Sequence, residues 1–204
     1  FLRRHGLVVG AICAAYLLVT ALRSLRADFA RELWTALGGS GDAGVFTRSE
    51  LWVALGVLVP MVFLARMRGN LGAFRSGLVL SCVGLAAVLG ACLAWRGGGL
   101  DPFIFMVMVG TGLYLPYVAV HATVFERLIA LTRDRANLGF LMYLADSAGY
   151  LGVCGVMLAR RGSLAGDAML PLFLEAGIWI AFAGIAAFTI AGLAVRPWDG
   201  RSDD

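Results

Sequence analysis

The chain has 204 residues, 60% of them apolar, and a mean hydropathy of +0.85. Soluble domains hold roughly 45–50% apolar residues, so this composition excludes a water-soluble domain of any size and indicates an integral membrane protein with room for about six crossings of some 20 residues each. The net charge of +4 does not point to nucleic acid: all 17 basic residues are arginine, and most lie at the ends of apolar runs, where they set topology and reach headgroups.

Gly6 to Leu22 (6–22) reads as a first span between Arg3, Arg4 and Arg23, Arg26. It is too long for a signal-peptide core of 7–15 residues. Asp28 to Leu37 places Phe29, Leu33, Trp34 and Leu37 on one face, the pattern of a short interfacial helix. After a flexible loop, Thr47 and Glu50 form a capping box that starts the second span, Leu51 to Ala65 (51–65), with a kink expected at Pro60. The third span, Leu71 to Trp95 (71–95), carries a stripe of Ala73, Gly77, Ser81, Gly84 and Ala91. Such small residues allow close helix packing, the main attraction available in lipid. Pro102 opens the fourth span (102–125), which Pro116 interrupts, freeing a carbonyl beside the tyrosines. The fifth span is Asn137 to Leu158 (137–158), with a packing face of Ala145, Gly149 and Gly152. The sixth (171–195) is led by Pro171 and followed by a polar tail. The fold class is therefore all-α, a polytopic bundle of six transmembrane helices. The arginine bias favours both termini in the cytoplasm, the membrane being the bacterial inner one.

The fourth and fifth spans hold the polar chemistry. Tyr114, Tyr117 and His121 share a helix face with Gly110 and Phe125, and Tyr143, Asp146 and Tyr150 share another. Counted from the Arg-rich turn at Asp134, His121 lies ~20 Å and Asp146 ~18 Å into the membrane, so the two sit at similar depth. Ionisable groups at that depth cost at least ~2.5 kcal/mol and mark a functional site by default. The expected patch is Tyr117, His121, Tyr143, Asp146 and Tyr150, with Tyr114 nearby and Asp146 as the proton-titrating member. In the structural alternative, Asp146 and His121 only hold helices together. Arg23 and Arg75 are candidate anion contacts, with snorkelling as the alternative. Glu175 reads as a hydrated surface carboxylate, and Glu126 with Arg127 as a rim pair.

Cys13, Cys82, Cys92 and Cys154 are scattered within spans without CxxC spacing, so no disulfide framework, metal site or cofactor is expected. GSGD at Gly39 to Asp42 matches the GxGD of intramembrane aspartyl proteases, but it lies in a loop. Ser147, in ADSAG, lacks the GxSxG frame of a serine nucleophile. No enzyme is expected.

The chain starts at Phe1 at the foot of an apolar segment, so a longer polypeptide is expected. Six spans cut from a longer chain resemble one half of a major facilitator superfamily transporter. RANLGFLMYLADSAGYLG, with Arg135, Gly139, Gly149 and Gly152, is similar to the eleventh helix of such carriers. LYLPYVAVHATVFERLIA with NLGFLMYLADSAGYLG further resembles an uncharacterised bacterial family of permease-like proteins. ARMRGNLGAF keeps Arg66, Arg68 and Gly69 of the superfamily's GxxxDRxGRR loop and lacks its aspartate. The resemblance implies a C-terminal half that works with an N-terminal six-helix half in the lipid bilayer. It would move a small solute, an organic anion being one candidate, with protons exchanged at Asp146. The competing expectation is a non-transporting membrane scaffold or signalling subunit.

Overall fold

In a bilayer every backbone N–H and C=O must be satisfied within the protein, which leaves an apolar chain of this kind only helices or a closed barrel. The computed structural model describes residues 1–39, 42–132, 137–159 and 169–195, and among these there are helices and no strands. They are α1 (Leu2–Asp28), α2 (Ala30–Ala36), α3 (Ala43–Ala65), α4 (Asn70–Arg96), α5 (Pro102–Ala119), a π-helical turn (Val120–Val124), α6 (Phe125–Thr132), α7 (Leu138–Ala159) and α8 (Met169–Ala194). The segment Pro102–Thr132 is continuous, so six helices are long and apolar enough to cross a membrane. Ser40 and Gly41 of the GSGD sequence lie outside the described residues. So do Arg133 and Arg135, Arg160 and Arg161, and the polar tail with Arg196 and Arg201.

Several boundaries differ from the sequence reading. α1 continues past Leu22 to Asp28, carrying Arg23 and Arg26 inside the helix. Thr47 does not cap α3: the helix starts at Ala43, and the Thr47 hydroxyl donates to the Ala43 carbonyl at 3.0 Å. Hydroxyls inside a helix often bond back to the carbonyl four residues earlier in this way, and the N-cap position falls to Asp42, whose side chain makes no capping bond. Asp101 does cap α5. Its carboxylate accepts from the amides of Phe103 and Ile104, with Pro102 in the first turn, where no amide is needed.

The helices pack in a pattern with internal symmetry. α1 lies against α8 and α7, α5 lies against α4 and α3, α4 packs on α8, and α1 crosses α5. Exchanging α1 for α5, α3 for α7 and α4 for α8 swaps α1–α8 with α4–α5 and α1–α7 with α3–α5, and leaves α4–α8 and α1–α5 unchanged. α3 and α7, which correspond under this exchange, have the least buried spans of the six. The short α2 folds across one end, where Leu33 and Trp34 are buried and the Trp34 ring meets Phe46 and Phe103. The face expected to lie in the membrane interface is thus packed on the bundle itself.

α4 and α5 meet backbone to backbone. A Cβ on Gly84 would lie 2.7 Å from the Gly112 carbonyl oxygen, and one on Gly112 would lie 2.5 Å from the Gly84 oxygen. Pro116 has no amide for the Gly112 carbonyl, four residues earlier. That freed oxygen therefore faces α4, not the tyrosines as expected. The helix is not broken at Pro116: it runs on through Ala119 and absorbs the disturbance in the π turn at Val120–Val124. Ser81 bonds back to Gly77, whose missing side chain makes room for Val124.

Candidate functional site

π turns add one residue to a helical turn, redirect the side chains that follow and recur at functional sites. Here the turn contains His121. The imidazole reaches α7, where Nε2 lies 3.2 Å from Asp146 Oδ1, and its Nδ1 lies 3.3 Å from the Tyr117 carbonyl oxygen. Tyr16, from the middle of α1, donates its hydroxyl to the same Asp146 oxygen at 2.7 Å. Its ring packs on both Tyr117 (5.4 Å between centres) and His121 (5.0 Å). Tyr117 in turn lies 5.2 Å from His121 and edge-on to Tyr114 at 6.4 Å. One turn from Tyr114, the Arg23 guanidinium sits 4.5 Å from the centre of the Tyr117 ring and 5.6 Å from that of Tyr114.

The hydrogen-bond partners limit the protonation of this cluster. A backbone carbonyl only accepts, so the tautomer that uses the Tyr117 contact is the one with its proton on Nδ1, which leaves Nε2 to face Asp146. Nε2 and Asp146 Oδ1 then need one proton between them, as an imidazolium with a carboxylate or as a neutral imidazole with a carboxylic acid. In both forms the pair is neutral overall and holds one transferable proton. The His121 and Asp146 side chains keep 25% and 35% of their surface accessible, so this proton is reachable from outside the packed core.

Of the residues expected in the patch, Tyr114, Tyr117, His121 and Asp146 come together, and Arg23 joins them. Tyr143 and Tyr150 do not: they are 76% and 65% exposed. α7 meets α1 through Gly149, whose Cβ position is 3.0 Å from Thr20, and Gly152, whose Cβ position is 2.9 Å from Leu17. Ala145 is fully buried on the same side. At about 100° per residue, Asp146 falls at the edge of that contact, and Tyr143 and Tyr150 fall roughly 40–60° beyond it. Arg75 lies elsewhere, on the rim of an apolar groove between α4 and α8 lined by Leu78, Phe188 and Leu193. Glu175 is ion-paired with Arg96. Arg127 donates to Asn70 at 2.9 Å in place of the expected pairing with Glu126, which is exposed.

Two participants were not anticipated. Tyr16 stands four and seven residues before Thr20 and Arg23, a polar stripe at helical spacing that marks one face of α1. Arg26, three residues beyond Arg23, is 4% exposed and donates to Glu50 Oε1 (2.7 Å) and to the Met106 carbonyl (3.2 Å), so that it joins α1, α3 and α5. It lies over Gly110, where a Cβ would come within 2.7 Å of Nη2. Glu50→Ala would strand this guanidinium, whose Nε already has no partner. A loss of about 2 kcal/mol is expected in thermal melts of the purified protein, below the 3–5 typical of a fully buried pair because Glu50 is half exposed. The double variant Arg26→Met, Glu50→Ala should recover most of it.

No curated protein and no solved structure matches this chain. A family of unknown function, DUF5690, matches residues 1–195. Since that match includes every helix and every residue of the cluster just described, the chain belongs to the DUF5690 family.

Proposed function

We propose that this protein is a proton-coupled secondary transporter of the major facilitator type, acting as one six-helix half of a two-half carrier. The observation that carries the reading is the His121–Asp146 pair: one transferable proton, deep in the span and still accessible, held between the π turn and α7 of one three-helix set and tied to the other set by the Tyr16 hydroxyl of α1. The exchange of α1, α3, α4 for α5, α7, α8 supports the family assignment. Three-span repeats of opposite orientation are how halves of such carriers are built, and solutes bind where the repeats meet. The sparsely buried α3 and α7 flank that meeting place and suit a second six-helix body. An even number of spans puts both termini on one side, and the arginine distribution favours the cytoplasm.

The reading is tested with the protein reconstituted into vesicles carrying a trapped pH-sensitive dye. Addition of a transported solute should bring protons in faster than in protein-free vesicles. If a broad set of organic anions, cations and sugars moves no protons and no label, the transporter reading fails. The scaffold reading has its own support, since Tyr16, His121 and Asp146 tie α1, the π turn and α7 together. It predicts that Asp146→Asn lowers stability or assembly and that nothing is transported.

A further inference from the structure

Arg23 differs from Arg26, Arg96 and Arg127 in what holds it. Arg26 and Arg96 each pair with a glutamate, and Arg127 bonds to Asn70. Among the described residues Arg23 has no carboxylate partner, and its Nε is buried without an acceptor. What holds it is the pair of tyrosine rings beneath its face. A guanidinium stacked in this way spends its flat face on the rings and leaves its in-plane N–H donors in the fork that fits an oxyanion. A cation at this depth without a counter-charge is costly, which is the condition an incoming anion relieves.

We infer that Arg23, laid across Tyr114 and Tyr117, is the binding site of a small monocarboxylate, and that this anion binds together with the proton shared by His121 and Asp146. The inference rests on the transport reading for its purpose, though the binding event stands alone. Charge determines the ligand class. While the shared proton is in place the His121–Asp146 pair is neutral, and the cluster carries the single positive charge of Arg23. A monocarboxylate cancels it, whereas a phosphate dianion would leave an excess negative charge in a poorly solvated site. When the proton leaves, Asp146 is a carboxylate and itself offsets Arg23.

The Tyr117 ring lies between the two sites: its centre is 4.5 Å from the Arg23 guanidinium and 5.2 Å from the His121 ring. At such a separation and a protein-like dielectric, one unit charge changes the affinity for another by roughly tenfold. By reciprocity the bound anion strengthens proton binding by the same factor. Among the described residues no other charged side chain contacts either site. Arg23 faces Tyr114 and Tyr117 from α5, and Asp146 faces Tyr16 from α1 and His121 from the π turn. Arg26 and Glu50, the next charged pair, neutralise each other.

The test is calorimetric titration of the detergent-purified full chain with sodium lactate, sodium gluconate, sodium phosphate and methylammonium chloride. Each titration is run in two buffers of different ionisation enthalpy, so that proton uptake is read from the heat. Lactate or gluconate should bind more tightly than phosphate, take up a proton, and lose roughly tenfold in affinity as pH is raised until the pair is unloaded. Arg23→Gln should weaken binding at least tenfold, while Arg48→Gln, at an exposed position on α3, should not change it. Should Arg23→Gln fail to fold, Arg23→Lys keeps the charge without the fork and should still weaken binding several-fold. Absence of binding by both carboxylates, tighter binding of phosphate, or full affinity in a folded Arg23 variant would overturn the site. Binding without proton uptake would overturn the coupling. Carboxylate binding that depends on Arg23 but produces no flux in vesicles would uphold the site and sink the carrier reading, and flux indifferent to Arg23 would do the reverse.

Discussion

Asp146→Asn is expected to reduce proton-driven solute accumulation to the level of protein-free vesicles while leaving solute-for-solute exchange intact. The asparagine oxygen can still accept from the Tyr16 hydroxyl, and its amide N–H can donate to the bare Nε2 of a neutral His121, so the links to both partners persist. What disappears is the ability to become a carboxylate. The site is then fixed in a neutral, proton-loaded-like state, in which the solute can come and go but no proton gradient can do work on it. Since the contacts persist, thermal stability should fall by no more than ~1 kcal/mol. Counterflow of labelled solute, paired with dye-reported proton entry in the same vesicles, separates the two activities. Accumulation that survives in the Asn variant would move the coupling site elsewhere; loss of exchange and accumulation together, with a large drop in melting temperature, would favour the scaffold. Tyr16→Phe should fall between wild type and Asp146→Asn. The ring keeps its packing on Tyr117 and His121, and only the hydroxyl that orients the carboxylate is lost.

The largest stability effect is expected at Gly112. Adding one methyl group there, in Gly112→Ala, places a carbon 2.5 Å from the Gly84 carbonyl oxygen and 2.7 Å from a Val88 methyl. The first of these atoms belongs to the backbone of a rigid helix and cannot swing aside, so α4 and α5 must separate along the crossing. Overpacking of this kind costs ~3 kcal/mol, at the upper end of the usual range, and in lipid no hydrophobic drive pulls the helices back together. A sharp loss of folded protein after solubilisation and a lower melting temperature are the expected readouts. Gly90→Ala, on α4 with nothing within 4 Å of the new carbon, is the matched control and should be neutral. Equal behaviour of the two variants would mean that the α4–α5 crossing is looser than the Gly84–Gly112 contact implies.

The span order and the match in depth between His121 and Asp146 were legible from the residues alone. Both follow from quantities that do not vary with context: a fixed rise per helical residue, a hydrocarbon layer of fixed thickness, and a short connection that makes α7 the antiparallel neighbour of the preceding span. Counting along two rigid rods from a common turn therefore sufficed to pair a histidine with an aspartate. The stripe of small residues on α4 was readable for a similar reason, since close packing in lipid leaves a compositional trace. The sequence pointed less well to cap positions. Thr47 has the spacing of a cap, but its hydroxyl bonds back within a helix that begins a turn earlier.

Depth along an axis is a property of one helix, whereas rotation about that axis depends on its neighbours. The sequence determined that the chain is a six-span membrane bundle, that Asp146 and His121 lie level within it, and that tyrosines surround them. Tertiary packing decided which way each helix is turned. Gly149 and Gly152 settle α7 on Thr20 and Leu17, which leaves Asp146 at the contact edge beside Tyr16 and turns Tyr143 and Tyr150 outward. Packing of α1 on α5 likewise laid Arg23 over Tyr114 and Tyr117, while Arg75 went to a groove between α4 and α8. A helix face 40–60° wide is all that separates a buried partner from an exposed ring, and that angle is set by the summed fit of many small side chains, which no single spacing in the chain records.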